Sequence, residues 1–164
     1  MTDTMRKTLF PKLALLVTVA AFATAAAAQT QRAVSNEPIG VGADNGGITG
    51  AGSFSLTGRA EVTQGGNRLR ADSIVGAGNS DGVLSSVTAS GNVYYVTPTE
   101  SIRGDRAVYT ISDATIVVTG DVILTQGKNV LTGGRLTYNI DTGAANMAGG
   151  TNSRIQGVFY PQGN

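Results

Sequence analysis

The chain has no cysteine, no histidine and no tryptophan among its 164 residues. Those absences exclude a Ser/His/Asp triad, a thiolate nucleophile, a Cys/His zinc site and any disulfide framework. Charge is scarce as well: charged residues are 14% of the chain, and 12 basic against 11 acidic side chains leave a net +1. That balance provides no electrostatic footprint for nucleic acid. Glycine, by contrast, is abundant, with 23 residues, all of them after Ala28. Each interior Gly costs a helix about 1 kcal/mol. The hydrophobic fraction of 41%, regularly alternating, distinguishes the chain from a disordered one. A single β-rich, non-catalytic domain is expected.

The N-terminus reads as an address. Arg6, Lys7 and Lys12 precede an apolar run from Leu13 to about Ala27, which ends in Ala26-Ala27-Ala28-Gln29. A basic start, a short apolar stretch and an A-x-A site describe a secretory signal peptide over residues 1–28, cleaved after Ala28. Residues 29–164 then form the exported domain. An uncleaved anchor is the competing reading, although a run broken by Thr18 and Thr24 is marginal for a bilayer.

A repeat organises the rest. Gly58, Gly91 and Gly120 lie 33 and 29 residues apart, and a degraded copy follows at Gly149. Two positions before each Gly stand Leu56, Ala89 and Val118. Two positions after come Ala60, Val93 and Val122, and four after come Val62, Tyr95 and Leu124. Thirteen after come Ala71, Gly104 and Gly133, all small; the first and third copies share TQG-x-N at 63–67 and 125–129. Within a copy the period is two: Ile116, Val118, Val122 and Leu124 share one face.

A parity change between Leu131 and Leu136 predicts a bulge or corner at Gly133-Gly134, with Ala71 and Gly104 at matching corners. Turns are expected at Asn45-Gly46-Gly47, Gly65-Gly66-Asn67, Asn79-Ser80-Asp81-Gly82 and Asp141-Thr142-Gly143. Strands of five to seven residues would make antiparallel sheets folded on each other, a jelly roll or solenoid. The outermost strands, 38–43 and 154–160, lack the charges that blunt an edge. Pro38 begins one and Pro161 ends the other.

Chemical candidates are few. Asp72 and Asp105-Arg106 read as surface charge pairs, and Asn79–Gly82 lacks the spacing of a calcium loop. No phosphate-binding glycine motif is present. Tyr95, Tyr109 and Tyr138 fall on the inward parity, where packing is the default. The inward face is slim, which fits either a closed core or an apolar slot for acyl chains.

The strings LTGRAEVTQGGNRLRAD (56–72), GDRAVYT (104–110) and IVVTGDVILTQGKNVLTGGRLTYNIDTG (116–143) resemble the OstA-like family. That resemblance implies an all-β fold: a V-shaped two-sheet antiparallel β-jelly roll, repeat-built and open-ended. It implies no catalysis and no cofactor. It implies a periplasmic carrier that binds lipopolysaccharide by its acyl chains and stacks end to end as a homo-oligomer. Such a bridge runs from an inner-membrane anchored OstA-like subunit to an outer-membrane lipopolysaccharide translocon. Ile39 and Val41 would line the first end, and Tyr109, Ile111, Val118, Val122 and Leu124 the middle. Leu56, Val62, Val93, Tyr95 and Tyr138 complete the interior. Pro38, Ile39, Val41, Ile155, Val158 and Phe159 would form the assembly edges. A ligand-free structural or adhesive β-solenoid, or an anchored accessory subunit of the same machine, are the alternatives.

Overall fold

Alternating apolar and polar residues, punctuated by Gly and Asn turns, build strands and no helix among the described residues. The computed structural model describes residues 37–50, 52–151 and 154–161. The expected signal peptide and its cleavage site lie outside the described residues. Among the described residues ten strands follow one another: β1 (Ile39–Gly42), β2 (Asn45–Gly50), β3 (Ser53–Gln64), β4 (Asn67–Gly78), β5 (Leu84–Val96), β6 (Glu100–Thr110), β7 (Thr115–Gln126), β8 (Asn129–Asn139), β9 (Ala145–Ala148) and β10 (Gln156–Val158). All pairings are antiparallel, in the order β1-β3-β4-β5-β6-β7-β8-β10, with β2 also on β3 and β9 also on β8.

The strands β3 to β8 are 11 to 13 residues long, not five to seven. Each passes through a corner without ending, and so contributes to two sheets. The first sheet holds β2, the 53–57 part of β3 and its equivalents, and β9; the second holds β1, the 60–64 part of β3 and its equivalents, and β10. The ends are the same long strands cut in two. β1 and β2 flank Asp44 as the parts of β4 flank Asp72, and β9 leads into Gly149 as β7 leads into Gly120. Asn45-Gly46-Gly47 is therefore strand, not turn. Leu56 lies so close to Gly46 that a Cβ there would stand 2.9 Å from its Cδ2.

At every corner two residues oppose one. Gly58-Arg59 faces Asp72, Gly91-Asn92 faces Asp105, and Gly120-Asp121 faces Gly134. The strand with the single residue is one short of its neighbours at the bend, so its parity flips there: Leu69 and Ala71 point inward, and then Ile74 does. The bend thus falls one residue beyond the expected Ala71 and Gly104, and within the expected Gly133-Gly134 pair. Those positions are small for another reason: the two sheets close upon them. Gly104 lies under Val118, and a Cβ on Gly133 would stand 2.6 Å from Met147 Cγ.

The strand glycines Gly58, Gly91 and Gly120 have positive φ, where L side chains are strained, and Arg59 and Asn92 share that conformation. Over each glycine lies an aspartate of the preceding strand: Asp44 over Gly58, Asp72 over Gly91, Asp105 over Gly120. Asp44 is clamped by Arg59, whose Nε donates to Oδ1 at 3.0 Å, and Asp72 accepts from Asn92 Nδ2 at 2.9 Å. The expected charge pair at Asp72 is a carboxylate–amide bond.

Candidate functional site

The interior face is a set of cross-strand rows. In the first sheet Leu56, Ile74, Ala89, Ala107, Val118, Leu136 and Met147 run side by side through the ladder. The next row outward holds Phe54, Gly76, Val87, Tyr109, Ile116 and Tyr138. In the second sheet Val41, Val62, Leu69, Tyr95, Ile102, Leu124, Leu131 and Gly157 form one continuous row from β1 to β10.

Burial falls along each strand away from the corner. Ala60, Ile74 and Leu136 are 0% exposed, whereas Phe54, Val62, Leu69, Val87, Tyr109, Leu131 and Ile140 are only half-buried. The corner is a filled core built on alanine and glycine; the strand ends splay into a mouth. The slim lining closes the sheets at the bend and leaves apolar surface available at the opening.

Among the interior candidates, Leu56, Val93, Tyr95, Val118, Val122, Leu124 and Tyr138 are buried on the inner rows. Val62 and Tyr109 are half-buried nearer the mouth. Burial, with the negative charge of Asp141 adding to it, raises the Tyr109 hydroxyl above its ordinary value, so it stays neutral at physiological pH. Ile111 is a correction. It lies in the turn after β6, exposed, with its N–H on Ser85 O at 3.1 Å, and borders the mouth instead of lining the middle. The turn forms because β6 runs out of ladder partners at Thr110, which pairs with Thr115.

The edge candidates are on the two ends of the ladder. Ile39 and Val41 are exposed on β1; Ile155, Val158 and Phe159 are exposed on and beside β10, and Pro38 immediately precedes β1. Ile48 on β2, 86% exposed, belongs with them and was hidden in the sequence by its glycine neighbours.

A second group went unread in the sequence. Continuing the inward parity of the second sheet past Val62, Leu69, Ile102, Leu124 and Leu131 brings Gln64, Asn67, Glu100, Gln126 and Asn129 to its lip. These five are half-buried, while the hairpin tips between them, Gly65-Gly66 and Gly127-Lys128, are exposed. Their signal was the shared TQG-x-N string, whose Gln and Asn occupy this lip in the first and third copies. The facing lip of the first sheet carries Ile111, Ala114 and Ile140 at equivalent positions.

An open-ended antiparallel β-roll, built from repeats around an apolar interior, is the class that this geometry defines. The sequence signature of the family described as "LptA/(LptD N-terminal domain) LPS transport protein" matches residues 40–144. The chain belongs to that family, which is one of lipopolysaccharide transport proteins and not of enzymes. A protein of Rhizobium meliloti (strain 1021), itself described as uncharacterized, is 29% identical over 91% of this chain and 86% of its own length. The fold is similar to that of Pseudomonas aeruginosa LptH, with a TM-score of 0.68 and 21% identity. That match covers 76% of this chain and 96% of the other. LptH is described as the LptA-homologous periplasmic component of a lipopolysaccharide transport device.

Proposed function

We propose that the chain is a periplasmic carrier that shelters the acyl chains of lipopolysaccharide and bridges an inner-membrane anchored OstA-like subunit to the outer-membrane translocon. The continuous apolar row from Val41 on β1 to Leu131 and Gly157 at β10 carries this reading. A lipid with several chains cannot cross water unaided, because each exposed methylene costs about 0.8 kcal/mol. A row of similar medium-sized side chains offers similar affinity at every step and no single trap.

The topology supports bridging. Eight strands alternate in direction from β1 to β10, so the two are antiparallel to each other. A second copy's β1 laid beside β10 would therefore continue the sheet with antiparallel pairing, by strand addition. β2 and β9 stand in the same relation in the first sheet. The exposed Ile39, Val41, Val158 and Phe159 would be covered in such a joint.

The filled corner, with Leu136 and Ile74 fully enclosed, favours the alternative of a ligand-free structural solenoid. A photo-crosslinking residue at Leu69 and, separately, at Arg70 in growing Gram-negative cells separates the two. Strand neighbours face opposite sides. Lipopolysaccharide adducts at Leu69 but not Arg70 are expected; adducts at neither, from exported and folded protein, would leave the solenoid.

A further inference from the structure

The two lips of the mouth differ in chemistry. The first sheet ends in Ile111, Ala114 and Ile140, the second in carboxamides and one carboxylate. Beside that polar lip is a hollow of about 30 Å³ lined by Leu124, Gln126, Asn129, Val130, Leu131 and Phe159. A water needs about 10–15 Å³ of such volume, so the hollow has room for one hydroxyl-sized group. Leu124 and Leu131 belong to the apolar row; Phe159 lies over Gly157, where a Cβ would be 2.9 Å from its Cε2. The hollow is thus where the apolar path meets the amides.

One observation on the polar side points to a ligand, and a second ties the hollow to the C-terminal tail. Glu100, which pairs with Gln126 in the ladder, encloses its Oε2 with no hydrogen-bond partner among the described residues. Asn129 Oδ1 accepts the Tyr160 N–H at 2.9 Å, so the lining is tied to the same tail that carries Phe159. A buried acceptor without a donor costs about 1–3 kcal/mol, a cost that an incoming donor removes.

We propose that this lip is a head-group subsite, in which Glu100, Gln126 and Asn129 receive the hydroxyl and amide groups of a sugar head whose acyl chain lies on Leu124, Leu131 and Phe159. The inference rests on the carrier reading and adds which lip holds the head. Carboxamides both donate and accept, as sugar hydroxyls do, and an ionised carboxylate accepts from them. A phosphate offers acceptors only and meets a like charge at Glu100, so the subsite selects hydroxyls over phosphate. The opposite lip, apolar at Ile111 and Ile140, has no hydrogen bond to offer from those side chains and takes chain instead.

The test is calorimetric titration of the mature full-length chain with dodecyl glucoside and, separately, dodecyl phosphate, both below their micellar concentrations. The Gln126→Leu and Glu100→Gln variants are each expected to bind the glucoside about tenfold more weakly while leaving the phosphate unchanged. Asn129→Ser, which keeps a polar group, is expected to fall between them and the parent. Unaltered β-rich circular dichroism and melting temperature verify that the variants fold. Equal losses for both amphiphiles, losses for neither, or a parent chain that binds neither would overturn the subsite. Adducts at Leu69 alongside any of those results would leave the carrier standing; their absence would remove the carrier itself.

Discussion

Three corners of the roll are built alike and the fourth is not. Asp44, Asp72 and Asp105 each lie over the positive-φ glycine of the next strand, whereas Gly134 takes the aspartate's place on β8. With no side chain there, Gly150 moves in, and a Cβ on Gly134 would stand 2.5 Å from its backbone nitrogen. The Asp72 and Asp105 corners join strands 11 to 13 residues long, the Asp44 corner joins β3 to the short β1 and β2, and beyond the fourth corner β9 has four residues and β10 three. An aspartate ties one strand's bend to the next, and at the fourth corner that tie is missing.

The largest expected effect tests the tie itself. Gly120→Val puts a β-branched residue at φ +106 beneath the Asp105 carboxylate. Strain and clash together should exceed about 3 kcal/mol and abolish accumulation of folded protein. Gly143→Ala, at φ +70 but with nothing within 4 Å of a new Cβ, should cost only about 1 kcal/mol in a denaturant titration. Equal losses at both positions would show that backbone conformation alone matters and that the aspartate cover adds nothing.

Leu136→Ala and Leu131→Ala sharpen the contrast between corner and mouth. Leu136 is fully enclosed and Leu131 half-buried, so about 3 kcal/mol against about half that is expected in melts of the two variants. Parity between them would mean that the mouth is as tightly packed as the bend. Gly134→Ala comes next, at about 1 kcal/mol. Its effect should appear as faster amide exchange on β9 and the neighbouring edge of β8, with β5 to β7 still protected. A uniform loss of protection would remove the distinction between the fourth corner and the others.

Acid gives the smallest effect. The Arg59 hydrogen bond holds the Asp44 carboxyl below its ordinary 3.8, and the Arg70 hydrogen bond holds Glu61 below its ordinary 4.5. Both groups are lowered on folding, so their contribution is full above the unfolded values and declines as pH falls through the folded ones. Both are solvent-exposed, and the pairs are screened. A shallow loss of melting temperature beginning below about pH 4.5, and suppressed by salt, is expected; a steep salt-insensitive transition there would point to a buried carboxylate instead.

Much of this architecture was legible in the residues. The spacing of Leu56, Gly58, Ala60 and Val62, and its recurrence at Ala89 to Tyr95 and at Val118 to Leu124, identified the strand through each corner and its inward face. Met147, two before Gly149, keeps that rule even in the degraded copy and is buried as the others are. Strand length was misread because glycine pairs signal turns equally well when the chain continues through them. The small residues Ala71, Gly104 and Gly133 were assigned to the bend, since sequence shows only that a side chain is missing. The polar lip was visible as TQG-x-N, yet it counted only as evidence of repetition.

The sequence by itself determined the repeat, the two-residue period, the inward face and the want of cysteine and histidine chemistry. Each follows from local chemistry: alternation fixes faces, and residue types fix reactivity. Only the tertiary structure decided that the sheets touch at Gly104 and Gly133, that an aspartate covers the next strand's glycine, and that one lip is polar and the other apolar. Those are relations between residues brought together by ladder register, and register comes from how the two faces close upon each other.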